Sequence, residues 1–147
     1  MSANWINGVM SHVAISVKDM DRELRFYREV LGFAVDFDID HRKEEKLARV
    51  VGMPGADLRT VMLQGYGFRV ELIQYYFPRG QDRTPQRQCD FGLIHFSFSV
   101  KNIEEIYQRL LANGLHFNCP PQIVRPGVKA TYFQDPEGIT IELAEYE

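Results

Sequence analysis

The sequence is poor in cysteine, in excess positive charge and in long apolar runs. Two cysteines among 147 residues, Cys89 and Cys119, make no disulfide framework, so free thiols in a reducing, cytoplasmic compartment are expected. A formal net charge of −3 offers no basic surface for a nucleic-acid backbone. No segment approaches the roughly 20 apolar residues of a membrane span, and Met1–Met10 lacks the features of a signal peptide. We therefore predict that the protein binds neither nucleic acid nor membranes.

What the sequence does contain is an internal repeat. Ser11–Val17 and Ile94–Val100 are alike, and residues 60–75 align with residues 131–146 at a constant offset. Each copy has a histidine near its start and a glutamate near its end, namely His12 and Glu71 in the first and His95 and Glu142 in the second. The chain therefore reads as a duplicated structural unit.

The hydrophobic periodicity of each copy predicts the element order β-α-β-β-β. In the first copy the hydrophobic periodicity predicts one helix and four strands, at about 12–17 (strand), 20–31 (helix), 33–40, 58–63 and 68–75 (strands). In the second copy it predicts strands at about 93–100, 115–117, 129–134 and 139–146, with a helix from the Asn102 cap to about Ala112. We read the charge run His41–Lys46 as a solvated strand end or loop. The first module then covers about 9–77, a polar linker about 78–91 and the second module about 92–147.

Strand alternation predicts which way the repeated side chains point. Each helix has to bury its apolar stripe against one face of a sheet, and Val13, Ile15 and Val17 suit that face. Because side chains alternate along a strand, the repeated histidines and glutamates point to the other face, where their neighbours are small or polar. Two imidazoles and two carboxylates on one surface are a suitable ligand set for a borderline divalent cation.

Three further side chains are candidates for substrate binding. By alternation Arg69 and Arg59 fall on the same side as the glutamates and could hold an anionic group, and Tyr132 could donate a hydrogen bond to a bound oxygen. The alternative interpretations are solvated arginines at a strand edge and an aromatic ring at the rim of the core. The sequence leaves both open.

The repeat and several of its motifs resemble the vicinal oxygen chelate superfamily, which includes glyoxalases, bleomycin-resistance proteins and extradiol dioxygenases. The resemblance rests on Ser11–Val17, on Phe26–Phe33 at the end of the first helix and on Tyr132–Leu143. It implies an α+β fold in which two βαβββ modules form a cupped mixed sheet with helices on the outer face. It also implies a homodimer and one divalent ion per site (Ni, Co, Mn, Zn or Fe). The metal ligands of the family map onto His12, Glu71, His95 and Glu142.

Within that superfamily the sequence is most similar to the glyoxalase I-like and epimerase-like branches. Ser16 and Tyr75 stand where glyoxalase I has residues that bind glutathione, which argues against a glutathione adduct. The resemblance implies a metal-dependent lyase or isomerase that transfers a proton through an enediolate, with Glu71 and Glu142 as catalytic groups and a small substrate carrying vicinal oxygens. The alternatives are a ring-cleaving dioxygenase, although residues 123–130 lack the histidine expected of one, and a metabolite- or drug-binding resistance protein. The substrate, the metal and the division of the site between chains stay open.

Overall fold

The structure is a computed structural model that describes residues 8–83 and 85–147. The prediction that Met1–Met10 is not a signal peptide concerns residues that lie mostly outside this range. Among the described residues, none of the helices is long and apolar enough to cross a membrane. Cys89 and Cys119 are both exposed free thiols.

The first half of the chain forms a four-stranded mixed sheet. Its elements are β1 (Val13–Ser16), α1 (Met20–Arg25), β2 (Ala34–Arg42), α2 (Glu45–Val50), β3 (Asp57–Gly65) and β4 (Phe68–Phe77). The strand order is β1-β4-β3-β2, in which β1 runs parallel to β4 and the other pairs are antiparallel. The β3–β4 hairpin turns on Tyr66 and Gly67, both with positive φ, as a two-residue turn of type I′ requires.

The second half repeats this sheet topology. Its elements are β5 (Phe96–Ser99), α3 (Ile103–Ala112), β6 (Gln122–Arg125), β7 (Val128–Gln134) and β8 (Thr140–Tyr146), and the strand order is β5-β8-β7-β6. The predicted strand at Leu115–Phe117 is reduced to an isolated bridge between Phe117 and Phe133, and β6 begins only after Pro120 and Pro121. Two mixed sheets of identical topology confirm the predicted α+β fold of paired βαβββ modules.

The helix α1 departs from the predicted arrangement in two ways. It changes at Phe26 into a π-helical turn, Phe26–Val30, which is closed by the hydrogen bond from the Leu31 N–H to the Phe26 carbonyl. The chain also divides into two compact units, and Asp21–Leu31 belongs to the unit of the second sheet. Within that unit the Tyr27 ring lies 6.5 Å from the ring of Phe96 on β5. Each module was expected to carry its own helix, and this holds for α3 but not for α1.

The short helix α2 was not predicted, because its residues read as the end of a charge run and a loop. Glu44 at its N-cap makes no side-chain capping bond, so local sequence signals for this helix are weak. The helix is instead stabilised by packing on the sheet, since Ala48 is buried against Leu58 and the neighbouring Ile73 and Tyr75.

Two irregularities in β2 decide which side chains share a face of the first sheet. The register with β3 shifts between Val35 and Phe37 and again between Ile39 and Arg42, so β2 does not alternate continuously as predicted. After the second shift Arg42 pairs with Leu58, whereas Ile39 pairs with Thr60. The strand therefore presents Ile39 and Arg42 on the same face, although they are three residues apart.

Candidate active site

In the first half of the chain His12 and Glu71 form a close pair. The distance from His12 Nε2 to Glu71 Oε2 is 3.3 Å. The parallel pairing of β1 with β4 places Ala14 opposite Glu71, and His12 precedes Ala14 by two residues on the same side. The other ring nitrogen of His12 lies 3.1 Å from Ser11 Oγ, a contact of the kind that orients a metal-binding imidazole.

The second half contains the same pair in the same register. The distance from His95 Nε2 to Glu142 Oε2 is 3.5 Å, and Ser97 lies opposite Glu142 just as Ala14 lies opposite Glu71. His95 precedes Ser97 by two positions, as His12 precedes Ala14. The repeat seen in the sequence is therefore also a repeat in the geometry of the two pairs.

Each pair by itself fits a divalent metal ion by chemistry and by spacing. Two ligand atoms that each lie roughly 2.0–2.2 Å from one ion are about 3.0–3.5 Å apart at right-angle or tetrahedral coordination. The two imidazole–carboxylate separations, 3.3 and 3.5 Å, fall at this value. Across the described residues, 8–83 and 85–147, no group of three or more His, Cys, Asp or Glu is placed to hold a metal. The four-ligand site accordingly stays a prediction.

Tyr132 lies beside the second pair, on the face where it was expected. It is directly opposite Glu142 across β7 and β8, and its ring centroid is 4.9 Å from that of His95. Its hydroxyl approaches His95 Nε2 to 3.5 Å. Partial burial and the charge of Glu142 raise the pKa of the Tyr132 hydroxyl, so this group keeps its proton and can donate a hydrogen bond.

The two predicted arginines have different positions. Arg69 shares the face of Glu71, two residues away on β4, and its guanidinium is paired with Asp36. The prediction for Arg59 was wrong, because Met62 is the residue opposite Glu71 and Arg59 therefore points to the other face. There Arg59 forms an ion pair with Asp38 at 2.7 Å.

Sequence reasoning missed two other features of the Glu71 face. The helix α2 covers the end of this face that contains Ile73 and Tyr75, so the expectation of a face without helices is also wrong. Arg42 lies on the same face and contacts Thr60, and only the register shift in β2 brings it there. A register shift of this kind has no signature in the sequence.

A buried acidic cluster lies within the second compact unit. Glu23 on α1 is fully buried, and Asp135 is 5% exposed. The carboxyls of Glu23 and Asp135 are hydrogen-bonding neighbours, and Arg22 Nε lies 3.9 Å from Glu23 Oε1. Burial, followed by the charge of Asp135, raises the pKa of Glu23 to about 9, so this carboxyl is neutral at pH 7. Asp135 also accepts a hydrogen bond from the hydroxyl of Tyr27 at 3.2 Å.

Comparisons with known proteins agree with this architecture. Residues 9–143 match the family model of the Glyoxalase/Bleomycin resistance protein/Dioxygenase superfamily. A crystal structure of a glyoxalase family protein from Bacillus cereus superposes with a TM-score of 0.83 at 25% identity, covering 99% of this chain and 98% of that one.

Two named relatives carry different activities in their names. A lactoylglutathione lyase of Arabidopsis thaliana is 29% identical over 91% of this chain, which spans only 43% of that protein. A 2-epi-5-epi-valiolone epimerase of an Actinomyces species is 27% identical over 97% of this chain and 83% of its own length. The chain belongs to the glyoxalase/bleomycin resistance protein/dioxygenase superfamily.

Proposed function

We propose that this protein is a metal-dependent lyase or isomerase that moves a proton at a carbon next to a carbonyl of a small substrate with vicinal oxygens. The observation that carries the proposal is the pair of His–Glu contacts in identical register, His12 with Glu71 and His95 with Glu142. The two pairs together would hold one divalent ion, which when bound supplies a Lewis acid that polarises the substrate carbonyl.

The two glutamates are the groups in this chain that can move the proton. A carboxylate beside the reacting carbon takes up the proton, and a second carboxylate returns a proton to a carbon of the same substrate to give the isomer. Glu71 and Glu142 occupy equivalent places in the repeat, so the site has one acid/base group from each half of the chain. The Tyr132 hydroxyl, which keeps its proton, donates a hydrogen bond to a substrate oxygen.

The proposed substrate is not a glutathione adduct. Tyr75, at the position where glyoxalase I binds glutathione, packs into the apolar cluster of Leu58 and Ala48 beneath α2. The name of the Arabidopsis lactoylglutathione lyase favours a glutathione adduct as the substrate, so turnover of such an adduct has to be measured directly. Turnover of the glutathione hemithioacetal of methylglyoxal would contradict this part of the proposal.

Metal analysis is the first test of the proposal. Protein purified without chelators should contain one divalent ion per site by elemental analysis, and the content should collapse in His95→Ala and in Glu142→Ala. Arg59→Ala is the matched control, because Arg59 lies on the opposite face of its sheet. A double variant of His95 and Glu142 that still binds stoichiometric metal would show that the site is assigned wrongly.

The reaction is tested by solvent deuterium exchange. The metal-loaded protein should catalyse exchange at the carbon next to the carbonyl in an α-hydroxyketone, a 2-oxo acid or an acyl thioester. Consumption of oxygen with a catechol and ferrous iron would replace proton transfer by ring cleavage. Binding of a metabolite without exchange or turnover would instead favour a sequestering protein.

We also propose a homodimer. Each sheet ends in two edge strands, β1 and β2 in the first half and β5 and β6 in the second, and an edge strand offers unpaired backbone groups to another chain. Light scattering at working concentration should give twice the mass of the chain, and a monomer would contradict this proposal.

A further inference from the structure

Arg42 is a cation that the register shift in β2 brings onto the Glu71 face. Its pairing with Leu58, after the register shift in β2, places its side chain on the side of the sheet that carries Thr60 and Glu71. The contact confirms this direction, because Arg42 Nη1 donates to Thr60 Oγ1 at 3.4 Å. Thr60 is only 2% exposed, so the guanidinium reaches over the inner part of the face.

The other partner of Arg42 holds it weakly. Arg42 Nε and Nη2 both lie 3.3 Å from one oxygen of Glu44, whose side chain is 54% exposed. An exposed pair of this kind is readily exchanged for another anion. Arg69 on the same face is paired with Asp36, which at 38% exposed is a less exposed partner than Glu44, so Arg42 is the more available of the two.

The position of Arg42 also sets a length for whatever it binds. Thr60 lies opposite Ile73, so it is the diagonal neighbour of Glu71 on the adjacent strand. Diagonal neighbours on one face of an antiparallel pair are about 7–8 Å apart. A substrate carbonyl carbon beside Glu71 and a carboxylate at Arg42 can be joined by roughly three carbon–carbon bonds, which span about 4 Å, and the Glu71 and Arg42 side chains span the rest of this separation.

We propose that Arg42, supported by Thr60, binds a carboxylate at the end of the substrate remote from the vicinal oxygens. This inference rests on the proposed function and names its substrate class, a short acid with a second carboxylate three carbons away from the reacting carbonyl. A guanidinium and a carboxylate form charge-assisted hydrogen bonds, which are stronger than those between neutral groups.

A matched pair of probes tests this inference by binding alone. 2-Oxoglutarate and 2-oxovalerate have the same vicinal oxygens and five carbons, and they differ only in a carboxylate or a methyl group at the far end. The protein is loaded with Co²⁺, and the dissociation constant of each probe is measured from the visible absorption of the ion. We expect 2-oxoglutarate to bind roughly 10–100-fold more tightly, as one charge-assisted contact provides.

Three variants complete the test. Arg42→Gln should lose the preference, Arg42→Lys should keep part of it, and Arg59→Gln should keep it all, with thermal unfolding of each variant as a check on folding. Equal binding of the two probes by the parent protein, or a preference that survives in Arg42→Gln, would overturn the role of Arg42 and leave the proposed function intact. Failure of both probes to bind the Co²⁺-loaded protein would overturn the inferred substrate class, and the absence of deuterium exchange in the α-hydroxyketone and the acyl thioester as well would overturn the proposed function.

Discussion

The buried Glu23 carboxyl predicts an unusual dependence of stability on pH. Its pKa is raised to about 9 in the folded protein, first by burial and then by the nearby Asp135. The ordinary value of 4.5 applies to the unfolded chain. Between these values the folded protein holds a proton that the unfolded chain has released. The contribution of Glu23 to the free energy of unfolding should therefore be fully present below about pH 4.5 and should fall as the pH rises towards about 9.

Replacing Glu23 by Gln removes this loss. The variant cannot ionise, and its amide has nearly the shape of the protonated carboxyl and can donate a hydrogen bond to Asp135. Each pH unit above the unfolded pKa costs the parent protein about 1.4 kcal/mol, so at pH 7 the variant should gain up to about 3 kcal/mol. For a chain of this length that corresponds to an increase of about 6–12 °C in Tm.

The assay is urea unfolding of the parent and of Glu23→Gln at pH 5, 7 and 8.5. The difference in the free energy of unfolding should be small at pH 5 and should grow at each higher pH. Glu104→Gln is the matched control, because the ion pair with Lys129 lowers the pKa of Glu104 and its effect should have the opposite sign. A difference between parent and Glu23→Gln that does not change with pH would refute the assignment of a neutral buried carboxyl.

Further predictions concern the site and one turn. Glu71→Gln should retain much of the metal and lose roughly 10²–10⁴-fold in turnover, measured by deuterium exchange, because it removes one of two acid/base groups. Ser11→Ala should weaken metal binding by about 10-fold in a chelator competition, because His12 loses the contact that orients its ring. Gly67→Ala should lower the free energy of unfolding by about 1–2 kcal/mol through backbone strain alone, because φ is +71° and no atom beyond the adjacent residues lies within 4 Å of the added Cβ. An unchanged metal affinity in Ser11→Ala, or an unchanged free energy of unfolding in Gly67→Ala, would contradict the reasoning.

The sequence determined the repeat, the fold class and the facing of the strands that carry the two pairs. These follow from local periodicity, since residues two apart on a strand must share a face. Alternation along the strands predicts that His12 and Glu71 point to the same face, whereas their contact depends on the parallel register of β1 and β4. The burial of Ile15, Val70 and Leu72 on the opposite face agrees with the same alternation.

Features that depend on how separate strands pair could be seen only in the three-dimensional structure. The pairing of β3 with β4 places Met62 rather than Arg59 beside Glu71, and the shifts in β2 bring Arg42 to that face. The helix α2 is stabilised by the packing of Ala48 against Leu58 on the sheet, and the residues of the helix carry few sequence signals for helix formation. Glu23 has an ordinary position in an amphipathic helix until that helix buries it beside Asp135. Register, packing and burial are properties of residue pairs distant in the chain, whereas periodicity is a property of neighbours, and this difference separates what could be predicted from what could not.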